Sequence, residues 1–486
     1  MLKLCQAALG PLAAIPDPKD LEGIHYEFVS PDTPDTPDTP DTPHHPVLFI
    51  PGFFGTQLET KLTNREKPHW WLPCNLCPST TSKYEKIWII QNAAITLLPY
   101  IIDCYAETMM LKWKFTSSSD GDGDGNGSPQ KMNYQPGIDT RTRHTFQSVM
   151  ELDPKTPLYT YYVQFLTEAF GYQPDQQMIA QAFDWRAGPE TWMQPGQEFD
   201  QMKTKIEQAV HRNNGRGIVV MSISAGVPFF ALFLNQRVDQ AWKDRHIHAF
   251  FAVSPVLSGT VLAPMQYLSL QHNSIFPDSI PHYVVETLSR IIRTTSSVSW
   301  FFPHPDAFHD KRQAIITTPT REYHAHELDQ ALLDAGYEEQ TKLYHHNRPY
   351  YGGTHLVPGV TTYCLSGYGI LTPASLRYES HDMSDAPNVS EWDDGDNCVL
   401  VESLRQCDAW AEQQEQPVHV HHYWNQSHAG LLYHPMVVDM FMHSVAGDDY
   451  EDGTATGTGS LSSTGDDDIT NSVSTGGMAG SKATLN

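Results

Sequence analysis

Residues Gly217–Gly226 read GIVVMSISAG, and Val227–Leu234 continue them as VPFFALFL. An unbroken run of β-branched and other apolar residues marks a strand buried on both faces. Ser222-Ile223-Ser224-Ala225-Gly226 then turns directly into an apolar segment of helical length. Strand, sharp turn and helix around a small-x-Ser-x-Gly pattern are the context of a nucleophile elbow. The turn is strained, so a large side chain two before or two after the serine would collide with its neighbour. Ser222 and Gly226 meet that demand. The serine is lifted clear of the sheet, and the following helix aims its unpaired N–H groups at the reaction centre. Pro228 falls in the first helical turn, where no N–H bond is lost.

Outward from this stretch, Pro46–Ile50, His248–Val253, Thr361–Leu365 and Pro417–Tyr423 predict further strands, and Tyr159–Phe170 predicts a helix. Apolar strands alternating with helices predict an α/β fold, a mainly parallel sheet with helices on both faces. The flanking segments have no apolar face. Residues 30–43 repeat Pro, Asp and Thr and predict an extended linker closing an N-terminal segment 1–44. Residues 117–129, SSSDGDGDGNGSP, predict a flexible insertion. Asp120, Asp122, Asp124 and Gly125 imitate the start of a calcium loop, but Lys131 stands where the twelfth-position Glu is required. Residues 447–486 predict a disordered acidic Gly/Ser/Thr tail. The catalytic domain is expected over 45–445.

The chain has 486 residues, 40% of them hydrophobic, enough for a large core. Its 57 acids against 31 bases give a net charge of −26. That balance excludes nucleic acid as a partner and disfavours anionic lipid surfaces. No stretch reaches the roughly 18 apolar residues of a bilayer span; Ile87–Ile102 comes nearest and is interrupted by Gln91, Asn92 and Pro99. Seven cysteines include one C-x-x-C, Cys74 and Cys77, and no second one to complete a zinc ribbon. Sequons at Asn126, Asn388 and Asn425 and a short apolar run in MLKLCQAALGPLAAIP give the expectation of a secreted or endomembrane-lumenal protein, peripheral to membrane.

A serine nucleophile needs a base and a group that orients the base. In an elbow fold the acid follows the serine and the histidine comes last. Glu391–Val399 (EWDDGDNCV) is an acidic turn in the right interval, offering Asp393, Asp394 and Asp396. His428 lies just after the last strand and before Leu431-Leu432, with His419, His421, His422 and His434 as competitors.

Pro51–Lys61 (PGFFGTQLETK), Phe183-Asp184-Trp185-Arg186, Gln240–Arg245 (QAWKDR), Tyr363–Gly369 (YCLSGYG) and Asp394-Gly395-Asp396 occur in that order. Together they resemble the lecithin–cholesterol acyltransferase family, with lysosomal phospholipase and phospholipid:diacylglycerol acyltransferases as relatives, over about residues 45–445. The resemblance implies an α/β-hydrolase with a cap or lid and a small disulfide-closed membrane-contact subdomain. It implies Ser224 as nucleophile, Asp396 as triad acid, His428 as base, and the Phe54 and Ala225 N–H groups as oxyanion hole. It further implies a membrane-contact subdomain at 70–115 closed by Cys104 with Cys77 or Cys74, and a second disulfide between Cys364 and Cys407. Those pairings leave Cys398, Cys5 and one of Cys74/Cys77 unpaired. Trp88, Phe53 and Arg293 are implied lipid contacts, and residues 260–300 a lid. The chain departs from the family where Ile223 replaces a histidine and where Ser254–Gly259 (SPVLSG) replaces G-A-P-W-G-G.

The expected function is therefore a lipid O-acyltransferase, carrying an acyl group from a phospholipid to a sterol or other lipid hydroxyl through an acyl-serine. A phospholipase A or lipase using the same triad is the alternative, and a catalytically impaired lipid-binding protein the third. The mechanism calls for no cofactor and no metal.

Overall fold

The computed structural model describes residues 44–69, 77–87, 99–115, 129–153, 156–268, 282–308, 314–352 and 355–448. The linker, residues 117–128 of the calcium-like insertion, residues 449–486 of the acidic tail, Trp88 and Cys74 lie outside the described residues.

Six parallel strands form the central sheet: β1 (Val47–Ile50), β2 (Met178–Ala180), β3 (Ile218–Ile223), β4 (Ile247–Val253), β5 (Thr362–Tyr368) and β6 (Val418–Trp424). Their spatial order is β6-β5-β4-β3-β1-β2. The chain runs outward from β1 to β2, returns to the other side of β1 as β3, and proceeds outward again. The order therefore reverses between β1 and β3, where the crevice at the carboxyl ends is the usual ligand site of open α/β sheets. Gly52 follows β1 there and Ser224 follows β3.

Both faces are covered. On β4, Phe250 packs against Phe230 of the helix Gly226–Gln236, at 4.9 Å between ring centroids. Its neighbour Phe251 points to the other face and meets Phe441 of the helix Pro435–Ala446 at 5.3 Å. The period-2 alternation of a strand thus feeds two aromatic cores at once.

β2 escapes sequence reading because three residues, MIA, carry too little pattern. A second sheet was also not expected. It pairs Ile370–Arg377 antiparallel with Asn388–Gly395 and extends through two short strands at Ile316–Thr317 and Glu322–Tyr323. The acidic stretch EWDDGD is therefore mostly strand rather than turn. Glu391, Trp392 and Asp393 are exposed and Asp394 half-buried, which is how three acids and a tryptophan tolerate an extended conformation without desolvation.

Cys77 is bridged to Cys104 and Cys364 to Cys407, with Cα separations of 5.7 and 6.1 Å. Cys398 is disulfide-bonded too, which corrects the expectation that it is left over. Of the 260–300 region, the described parts are helices Leu262–Leu268, His282–Arg293 and Ser296–Trp300. Among the described residues no helix is long and apolar enough to cross a membrane.

Candidate active site

Ser224 has φ +58°, a left-handed backbone that a side chain adopts only under constraint from its surroundings. The constraints are visible. Its N–H donates to the Val253 carbonyl at 2.9 Å, tying the turn to β4, and its own carbonyl accepts from Val227 N–H at 3.1 Å as the helix begins. Gly226 has no room for more: a Cβ there would stand 2.4 Å from the Pro51 oxygen and 2.7 Å from the Ser222 hydroxyl. The small residues demanded by the elbow are thus demanded by real neighbours on β1 and β3.

His428 lies between β6 and the next helical turn, buried, and its backbone N–H donates to the Asp396 carbonyl at 2.9 Å. Its ring Nδ1 is 2.7 Å from Asp396 Oδ2 and its Nε2 is 2.8 Å from Ser224 Oγ. A carboxylate only accepts, so Nδ1 carries the proton and Nε2 presents its lone pair to the serine hydroxyl. Asp396 is held in turn by the N–H groups of Cys398 and Val399, which donate to Oδ1 at 3.0 and 2.8 Å. The competitors are otherwise engaged. Asp394 accepts from Gly369 N–H, Asp393 from Asp394 N–H, and His419 stacks on Tyr363.

The turn after β1 lies against the serine: a Cβ on Gly52 would be 3.0 Å from Ser224 Cβ. Gly55 N–H closes this turn onto the Gly52 carbonyl at 2.9 Å, and Phe54 within it has φ +62°. Ala225 directly follows the serine and caps the helix. The Phe53 and Phe54 rings pack on Trp185 at 5.5 and 4.4 Å. Phe53 is buried, its ring packed among Phe54, Trp185 and Phe301. Arg293 is also buried. Its Nε donates to the Tyr267 carbonyl at 2.9 Å and its terminal nitrogen to Leu268 at 3.2 Å, holding the chain at the end of the Leu262–Leu268 helix.

Trp185 is positioned by a buried polar layer that sequence reading gave only in part. Burial opposes ionisation of Asp184, but Arg186 and Lys131 outweigh it and hold the carboxyl far below the usual carboxylate range. Arg186 reaches Asp184 Oδ1 and Oδ2 at 2.9 Å each and adds the carbonyls of Met109 and Thr140. Nothing in the sequence pointed to Glu190. Burial pushes its carboxyl above the ordinary range, and it accepts from Gly188 N–H at 2.7 Å and Ser296 Oγ at 3.1 Å.

A second serine–histidine–aspartate set was also missed. Ser366 Oγ is 2.6 Å from His422 Nδ1, and His422 Nε2 is 3.1 Å from Asp408 Oδ2. Asp408 adjoins the Cys364–Cys407 bridge, and these three form the one group among the described residues whose ligand atoms cluster as a metal site would. The bridge occupies both sulfurs, leaving a single carboxylate.

A parallel sheet with this order, an elbow serine at the switch point and a histidine backed by a buried carboxylate define an α/β-hydrolase. The family profile described as Lecithin:cholesterol acyltransferase matches residues 96–342 and 328–435. The chain belongs to that family. It is 29% identical over 396 residues to the mouse (Mus musculus) protein named lysosomal phospholipase A and acyltransferase, covering 80% of this chain and 87% of that one. It is 28% identical over 382 residues to the human (Homo sapiens) phosphatidylcholine-sterol acyltransferase, covering 77% and 79%. A solved structure described as the Tle4–Tli4 complex superposes with TM-score 0.42 and 9% identity, over 83% of this chain and 98% of that chain, too distant to carry an argument.

Proposed function

We propose that this protein transfers a fatty acyl group from a phospholipid to an acceptor alcohol, through an acyl-enzyme on Ser224. The observation that carries the reading is the Ser224–His428–Asp396 chain at the sheet's switch point. His428 Nε2 takes the serine proton as Oγ attacks the ester carbonyl. The new C–O bond makes a tetrahedral oxyanion, which the N–H groups of Phe54 and Ala225 are positioned by sequence to receive. Collapse expels the lysophospholipid alkoxide, which takes the proton from His428. An acceptor hydroxyl then gives its proton to His428 and attacks the acyl-serine; collapse of the second tetrahedral intermediate breaks the acyl–Oγ bond, releases the new ester and returns the proton from His428 to Ser224 Oγ.

Water in place of the alcohol gives a phospholipase A by the same steps. The name of the mouse relative carries both activities. The disulfides fit an oxidising compartment such as a lumen or the cell exterior. We read the protein as peripheral to its lipid surface.

Incubating the purified protein with acyl-labelled phospholipid, with and without a sterol or diacylglycerol, tests the reading. Labelled new ester is expected, and Ser224→Ala should lower its rate by about 10⁴-fold or more. Unchanged turnover in that variant removes Ser224 as the nucleophile.

A further inference from the structure

Six large hydrophobic side chains are exposed among the described residues, and three of them share one surface: Trp424 at 69%, Leu371 at 65% and Trp392 at 43%. In the antiparallel pair, Leu371 is opposite Asp394 and Pro373 is opposite Trp392. Side chains at i and i+2 of a strand share a face, so Leu371 and Trp392 are diagonal neighbours on it. Trp424 joins them at the strand's start by lying across Gly369: a Cβ there would be 2.8 Å from its Nε1. Gly369 N–H donates to Asp394 Oδ1 at 2.6 Å, which places a carboxylate beside the indole. Asp394, opposite Leu371, is the carboxylate on this face; Asp393, opposite Thr372, is on the other.

The position matters as much as the composition. Trp392 is four residues before Asp396, and Trp424 is four residues before His428. The patch is built on the two segments that carry the acid and the base.

We propose that Leu371, Trp392 and Trp424 seat the protein on a zwitterionic phospholipid surface whose outermost group is a quaternary ammonium. The proposal rests on the lipid-acyl reading of the site. Contiguous exposed apolar groups mark an interaction surface. Tryptophan suits the boundary of a bilayer, with an apolar ring and one N–H. A ring face beside the Asp394 carboxylate attracts a choline-like cation. The same carboxylate and the net charge of −26 repel an anionic surface.

Flotation with vesicles tests this on the full chain, in a Ser224→Ala background so that lipid is not consumed. The probes are pure phosphatidylcholine vesicles and the same vesicles with a third of the lipid as phosphatidylglycerol. The unsubstituted surface should float with phosphatidylcholine and less with the anionic mixture. Leu371→Ser with Trp392→Ser and Trp424→Ser should lower flotation by at least about tenfold, equivalent to 1.4 kcal/mol. Trp424→Ser alone should lower it measurably. With Ser224 restored, turnover of a water-soluble short-chain ester should match that of the parent, showing that the fold is intact. Equal flotation of the parent and the Trp424→Ser form, or preference of the parent for anionic vesicles, overturns the proposal. Loss of soluble-ester turnover in the parent, with normal flotation, counts against the triad and not against this surface.

Discussion

Two sets of serine, histidine and aspartate run through this molecule: Ser224–His428–Asp396 and Ser366–His422–Asp408. Their hydrogen-bond lengths are alike, 2.8 and 2.7 Å in the first and 2.6 and 3.1 Å in the second. Everything around them differs. Ser224 has a left-handed backbone at the end of its strand, with a helix N-terminus behind it and the Gly52 turn against it. Ser366 is in regular β5, in register with His422 on β6. In the first set Nδ1 faces the acid and Nε2 the serine; in the second the nitrogens are exchanged. His428 and Asp396 are 1% and 0% exposed, whereas His422 and Asp408 are 25% and 37% exposed. Residue types and distances do not make a nucleophile. The proposed nucleophile is set apart by a strained elbow, the Gly52 turn beside it and a dry carboxylate, and Ser366 has none of these.

The largest expected effect breaks the comparison at the acid. Asp396→Asn keeps the shape but gives Nδ1 an amide, which offers an N–H as readily as an oxygen. The ring then populates the wrong tautomer, and turnover of labelled phospholipid should fall by about 10⁴-fold. Asp408→Asn, measured in the same assay, should leave turnover near that of the parent. Comparable losses in the two variants would erase the distinction drawn here.

A smaller effect sharpens it at the turn. Gly52→Ala places a Cβ 3.0 Å from Ser224 Cβ and 3.5 Å from Oγ, so the serine or the 52–55 turn must give by a few tenths of an ångström. A misplacement of about 1 Å can cost about 100-fold, so a shift of a few tenths should lower kcat by up to about 10-fold while KM moves little. Unchanged kcat would mean that the turn does not press on the nucleophile.

A pH series separates scaffold from chemistry. Burial raises the Glu190 carboxyl above its ordinary pKa, and only the Ser224 set has such a layer behind its wall. A raised acid binds its proton more tightly in the folded chain than in the unfolded one. The stability it contributes is full below the ordinary carboxylate pKa and is lost as pH rises through the folded value. Its contribution to stability should therefore climb as pH falls from neutral towards 5, by at most about 1.4 kcal/mol per unit, while the buried neutral His144 and His304 contribute in the opposite direction. The stability difference between the parent and Glu190→Gln should grow in the parent's favour as pH falls, and a difference independent of pH would show that Glu190 does not titrate this way. Asp184, shifted the other way, is ionised in both states over this window and leaves the slope alone.

The central sheet was legible because β1 and β3–β6 carry long apolar or alternating runs, while β2, three residues long, carries none. The elbow was legible because its small residues are local to the serine. The acid and base were narrowed by chain order but chosen among Asp393, Asp394, Asp396 and several histidines only through resemblance. The second sheet was hidden because exposed Asn388–Gly395 has neither apolar alternation nor β-propensity. Glu190 was hidden because its burial arises from Ser296, more than a hundred residues away. Trp88 lies outside the described residues, so its lipid contact stays an expectation.

The smallest effect concerns the second set directly. Ser366→Ala removes a hydroxyl that donates to His422 Nδ1, since His422 Nε2 gives its proton to Asp408. One hydrogen bond between β5 and β6 is lost, and His422 is exposed enough for water to replace it in part. The cost should be about 0.5–1.5 kcal/mol in urea unfolding, with turnover of phospholipid unchanged. The Cys364–Cys407 bridge on the same side of β5 closes a loop between residues 43 apart and limits how far the strands can part. A fall in turnover far beyond the loss in stability would give Ser366 a share in the chemistry, and the contrast between elbow and strand would no longer explain which serine reacts.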